Sequence, residues 1–196
     1  MNTNIIRTIF LALGAIFALL LIIAGVAGYL ITGPVPTYAG AKVELSDEAA
    51  ASLDDKIAEL EQQIAQASAG EEVTLVITQE EATSKADQLA KAGELPLEMK
   101  HIQIHFVDGS IYGCARVDLL IDVWVAIQAK IGVEDGKPDI TIESLHFGRL
   151  GIPRTLIENV MRALMKRMEE RLEALPVELQ DIAIGNGEIT ITLVKK

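Results

Sequence analysis

Cysteine is almost missing from this 196-residue chain: Cys114 stands alone, so no intramolecular disulfide can form, and no cysteine directly follows the apolar stretch near the start to accept a lipid. Basic residues are outnumbered, 17 Lys and Arg against 28 Asp and Glu, and a formal charge of −11 argues against nucleic acid as a partner. It argues equally against a domain lying flat on anionic lipid, leaving only a local basic face to touch headgroups. Internal repeats and low-complexity segments are absent.

The motifs of familiar chemistries are absent as well. Gly148-Arg149-Leu150-Gly151 lacks both the spacing and the Lys-Ser/Thr ending of a phosphate-cradling loop. Ser110 sits in a turn without a nucleophile-elbow sequence, and Cys114 has no Cys-His-Asn setting. His101 and His105 invite a metal reading, but the alternation around them says strand, where residues four apart share a face about 13 Å from each other. With His146 they are expected to be solvated or edge histidines. Asp118 and Asp122 meet the same distance objection as an acid pair and are expected on a solvated outer face. The expectation is a protein that is not an enzyme and needs no cofactor or metal.

What is present starts with residues 8–31, 24 positions without a charge. As a helix they reach about 36 Å, enough to cross a hydrocarbon core of about 30 Å with some tilt. The run exceeds the roughly 7 to 15 apolar residues of a cleaved signal peptide, although Ala39-Gly40-Ala41 resembles a small-residue cleavage site. The reading is a transmembrane signal anchor behind a cytoplasmic tail, residues 1–7. Arg7 before the span and acidic Glu44, Asp47, Glu48, Asp54 and Asp55 after it put the N-terminus in the cytoplasm. The expected location is the cell membrane, single-pass, with an extracytoplasmic C-terminal domain.

Residues 32–45 read as a linker, because Gly33-Pro34-Val35-Pro36-Thr37 cannot continue a helix. Ser46 is a candidate N-cap for a helix over 46–69, with Asp47 and Glu48 in its first turn and Gly70 at its end. Its apolar residues Leu53, Ile57, Leu60, Ile64 and Ala67 recur at helical spacing. The stripe either packs on its own domain or forms a weak coiled-coil seam that makes a homodimer.

Residues 70–196 read as one antiparallel α+β domain. A strand over 73–78 and a helix over 79–91 precede a strand over 99–107 and an Asp108-Gly109 turn. From 117 to 131 every odd position is apolar, which reads as one strand of roughly 50 Å, against about 17 to 20 Å for a common strand. Glu134-Asp135-Gly136-Lys137 supplies a second turn into Ile140, Ile142, Leu145 and Phe147, where a phase slip between Glu143 and Ser144 predicts a bulge. Pro153 opens an amphipathic helix reaching about residue 174, and Asn186-Gly187 closes a final hairpin of strands 179–184 and 189–194.

Together the long strand, Asp135-Gly136-Lys137-Pro138, the segment from Phe147 to Pro153, the amphipathic helix, Leu175-Pro176 and Gly185-Asn186-Gly187-Glu188 resemble the tubular lipid-binding superfamily. The likeness spans roughly residues 72–196 and is nearest to its bacterial envelope branch, the YpmS-like and LmeA-like proteins. It implies a single-lobe, highly curved antiparallel sheet wrapped around a long helix, with a phospholipid-type ligand between them. Soft thioethers at Met161, Met165 and Met168 suit an irregular apolar ligand. Leu119, Ile121, Val123, Val125, Ile127, Ile140, Ile142, Leu156, Val160, Met161, Leu164, Met165 and Met168 are the expected lipid-binding residues. The expected function is an anchored envelope protein that holds or transfers a phospholipid or other acyl-chain lipid. The alternative is a non-enzymatic scaffold or interaction module without a bound lipid.

Overall fold

Three short turns set much of the chain's path. Asp108 (φ 47°) and Gly109 (φ 76°) are both left-handed, as are Asp135 (φ 51°) and Gly136 (φ 72°), the pattern of the two-residue turn whose twist suits a hairpin. They close the pairs Val107 with Ser110 and Glu134 with Lys137. Across Asn186-Gly187 the Gly185 amide donates to the Glu188 carbonyl at 2.9 Å, with Gly187 at φ 92°. All three turns fall where the sequence places them.

The computed structural model describes residues 28–30, 33–35, 41–95, 97–118, 122–153, 155, 157 and 176–196. In chain order the elements are α1 (Asp47–Gln66), β1 (Glu72–Thr78), α2 (Gln79–Lys91), β2 (Glu98–Val107), β3 (Ser110–Asp118), β4 (Asp122–Glu134), β5 (Lys137–Phe147), β6 (Leu150–Gly151), β7 (Val177–Ile184) and β8 (Glu188–Lys195). They build two antiparallel sheets, a three-stranded β1-β8-β7 and a five-stranded β2-β3-β4-β5-β6.

This architecture corrects the expected α+β fold, a single-lobe curved sheet wrapped around one long helix. Among the described residues strands dominate, and no long helix is enclosed by a sheet. β8 is the middle strand of its own sheet because β1, more than a hundred positions earlier in the chain, pairs along its free edge. The helix expected over 153–174 lies outside the described residues apart from Pro153, Thr155 and a buried Ile157.

The single long strand is corrected too. Asp118 pairs with Asp122 and Val117 with Val123, so the chain reverses inside the run that alternation reads as continuous. Three residues, 119–121, separate the closing pair; they lie outside the described residues. Odd positions therefore meet odd positions, and an every-second-residue pattern passes through the reversal unbroken. The predicted bulge is present: the β4–β5 register shifts between Gln128 and Ala129, opposite Ser144 and Ile142, leaving Glu143 as the extra residue. Even-numbered Ile140 and Ile142 thereby join odd-numbered Leu145 and Phe147 on the face of Val123, Val125 and Ile127.

The transmembrane anchor, and the single-pass cell-membrane location built on it, are also corrected. Among the described residues no helix is long and apolar enough to cross a membrane. α1 has the length but carries Asp54, Asp55, Lys56, Glu59 and Glu61 through its middle, charges that hydrocarbon does not tolerate. The apolar run 8–31 lies outside the described residues except for 28–30, where the Arg149 amide donates to the Leu30 carbonyl at 2.6 Å and its guanidinium sits 4.4 Å from the Tyr29 ring centre.

Polar side chains hold the layers in place. Ser46 caps α1 through the Ala49 amide, and Thr78 and Glu81 cap α2 reciprocally. β2 is an edge strand, and its Ile104 amide and carbonyl are both satisfied by the Thr83 hydroxyl at 3.1 and 3.2 Å, which lets α2 cover that edge. Beside it the Gln103 amide mimics a peptide, accepting from Val43 N–H at 2.8 Å and donating to the Val43 carbonyl at 3.3 Å. The hairpin tip joins the sheets: Gly187 N–H donates to the Phe106 carbonyl at 2.8 Å, its carbonyl accepts from Gln79 N–H at 2.8 Å, and Asn186 Oδ1 accepts from Asp108 N–H at 3.3 Å.

Glu81, only 5 % exposed, fixes α1 on α2. Its carboxylate accepts from the Lys56 ammonium at 2.8 Å, the Ser52 hydroxyl at 2.7 Å and the Thr78 amide at 2.9 Å. Burial pushes its pKa up, but these donors outweigh burial and hold it below the ordinary carboxylate value. The stability it contributes is full above pH 4.5 and is lost as pH falls through the lower folded value. Glu81→Gln is expected to cost about 2 kcal/mol at neutral pH. In urea unfolding, that gap between variant and wild type should close as the pH is taken well below 4.5.

Candidate functional site

Two grooves of ligand size lie on different parts of the fold. The first, about 710 Å³, is bounded by Lys42 and Leu45 on one side and by β2, β3 and β4 on the other. The second, about 780 Å³, lies between the C-terminal half of α1 and strands β7 and β8, beside the Asp135-Gly136 turn.

The first groove owes its wall to a bulge in β2. The register with β3 shifts between Lys100 and Gln103, and His101 takes φ 55° there. The His101 ring stacks against Trp124, with centres 6.1 Å apart and planes 30° apart. Past the bulge Gln103 and His105 face the same way as Cys114 and Tyr112. Deeper in, Gln128 Nε2 donates to the Tyr112 hydroxyl at 3.1 Å and to Glu143 at 2.5 Å. His105 stands on the edge strand β2 but is buried rather than solvated, and burial lowers its imidazole pKa. Burial likewise pushes the Cys114 thiol up, away from the reactive thiolate.

The second groove is chemically simpler. Ile57, Leu60 and Ile64 of α1 face Val177, Leu179 and Leu193 across it, and charges such as Glu61, Lys137 and Glu178 also line it. α1 is anchored at its end by Lys195, whose ammonium donates to the Ile64 carbonyl at 2.9 Å. Three residues of the stripe that also reads as a dimer seam thus face their own domain.

The thirteen expected lipid-binding residues divide unevenly. Val123 is buried at 2 % exposure, while Val125, Ile127, Ile140 and Ile142 are half-buried on the neighbouring strands β4 and β5. Of these five, Ile127 lines the first groove and none lines the second. Leu119, Ile121, Leu156, Val160, Met161, Leu164, Met165 and Met168 lie outside the described residues.

Asp118 and Asp122 are exposed, as expected, with Asp122 bridged to Arg116 at 2.7 Å. Among the described residues no three His, Cys, Asp or Glu side chains are grouped to hold a metal. Sequence reasoning missed Trp124, Tyr112 and Gln128, which stand on the polar face of β3 and β4. A lone tryptophan on a face otherwise read as solvated was the available signal. No family model, no curated protein and no solved structure matches this chain.

His105 supplies a test of the burial argument. Its folded pKa lies below 6.5, so on acidification the unfolded chain takes up a proton that the folded chain refuses. Wild type is expected to lose stability relative to His105→Asn as pH falls through 6.5, read from urea midpoints on either side of that value.

Proposed function

We propose that this protein binds the acyl chain of a phospholipid-type or other lipid in the groove between α1, β7 and β8. The observation that carries this reading is an apolar lining of Ile57, Leu60, Ile64, Leu179 and Leu193 around about 780 Å³ of space. Burying each methylene is worth about 0.8 kcal/mol, so hydrocarbon contact alone supplies affinity without a directed polar group. The pattern likeness to tubular lipid-binding proteins points to the same ligand class, though the two-sheet fold departs from the one that likeness implies.

The rival is an interaction module without bound lipid, associating through α1. Ile57, 40 % exposed, is the observation in its favour. Native mass spectrometry of the purified protein separates the two, since stoichiometric lipid supports binding and a lipid-free dimer supports association.

Filling the groove gives the sharper measurement. Leu60→Trp and Leu193→Trp are expected to reduce lipid occupancy several-fold while stability changes by less than about 1 kcal/mol, because there is space to occupy. A stability loss of about 1 to 3 kcal/mol in both, from a parent carrying no lipid, is the signature of overpacking and would remove the lipid reading.

A further inference from the structure

Asn186 is the one asparagine of the chain that is followed by glycine; Asn2, Asn4 and Asn159 precede Thr3, Ile5 and Val160. That neighbour decides an asparagine's chemical lifetime, because a following residue without a Cβ leaves its backbone nitrogen open to the side-chain carbon. Once it gives up its proton, the Gly187 nitrogen can attack Asn186 Cγ. The N–Cγ bond forms, the Cγ–Nδ2 bond breaks, and Nδ2 leaves as ammonia. Water then opens the cyclic imide at one carbonyl to give aspartate, or at the other to give isoaspartate, whose backbone runs through the former side chain.

The seated tip restrains both reacting groups. Gly187 N–H is donated to the Phe106 carbonyl at 2.8 Å, which fixes the peptide plane and holds the proton that must leave. Asn186 Oδ1 accepts from Asp108 N–H at 3.3 Å, which ties the side-chain amide to a different element. Gln79 N–H on the Gly187 carbonyl, at 2.8 Å, clamps the far side of the same glycine. Asn186 itself is exposed, so water reaches it and geometry is what delays the reaction.

We propose that Asn186-Gly187 is a deamidation site that the fold keeps latent while the tip is seated on β2, and that isoaspartate at this position unseats the tip for good. Isoaspartate inserts one extra backbone atom ahead of Gly187, so the glycine's amide and carbonyl can no longer meet Phe106 and Gln79 together. Plain aspartate leaves the backbone unchanged and keeps an oxygen for the Asp108 amide. Loss of ammonia makes either product permanent, but only isoaspartate loosens the contact between the five-stranded sheet, α2 and the β7–β8 hairpin.

The full chain is held at mildly alkaline pH, native or in guanidinium chloride, and conversion of Asn186 is read by peptide mass spectrometry. Conversion is expected to be about a hundredfold slower in the native chain, because three hydrogen bonds must open together. Gln79→Pro removes one of those bonds at the first position of α2, where proline fits, and should quicken native conversion about fivefold with no change in guanidinium chloride. A second measurement covers the case in which that variant does not fold. The isoaspartyl form, separated from aged wild type by ion exchange, should lose hydrogen-exchange protection at the Gln79 amide, while Asn186→Asp keeps it. Equal rates in the native and denatured chain, a folded Gln79→Pro variant that converts no faster than wild type, or an isoaspartyl form that still protects the Gln79 amide would each overturn the proposal.

Discussion

The contact on which the arrangement depends is the seating of the Asn186-Gly187 tip against the end of β2. Through one backbone amide, one carbonyl and one side-chain oxygen, the tip reaches Phe106, Gln79 and Asp108. Those three belong to the five-stranded sheet, to α2 and to the first tight turn. A glycine at φ 92° presents its amide and carbonyl to two different elements at once, a backbone geometry that residues with a Cβ resist.

From that junction the layers follow by polar satisfaction as much as by apolar burial. Thr83 closes the open edge of β2, and the Gln103 amide extends the edge to Val43 as a strand would. Glu81 gathers Lys56, Ser52 and the Thr78 amide, so α1 is placed by a buried carboxylate as well as by Ala50 and Leu53. Beyond Leu53 the stripe residues Ile57, Leu60 and Ile64 are not buried, and they form one wall of the second groove.

The two grooves divide the chemistry of the molecule. One is lined by apolar side chains of α1, β7 and β8 together with several charges; the other combines stacked rings, amide and hydroxyl groups and two cations. Their difference arises from opposite causes. The first opens where a bulge at His101 breaks the register of β2, and the second opens where the C-terminal half of α1 stands off β7 and β8.

Local signals determined a good part of this structure from sequence alone. Asp-Gly and Asn-Gly pairs fixed the hairpin turns because few residues accept a positive φ, Ser46 fixed the start of α1, and the phase slip at Glu143 fixed a bulge. The reversal between Asp118 and Asp122 was hidden because a period of two is unchanged when odd positions pair with odd positions. That one ambiguity turned two strands into a single long one, and with it a two-sheet protein into a sheet around a helix. The pairing of β1 with β8 was equally beyond reach, since no local pattern names a partner more than a hundred residues away. The grooves belong wholly to the tertiary structure. Trp124 is not singled out by its local sequence, and Leu60 is left between core and seam, until the fold sets His101 beside one and Leu193 across from the other, because a cavity is a property of surfaces brought together and not of any segment.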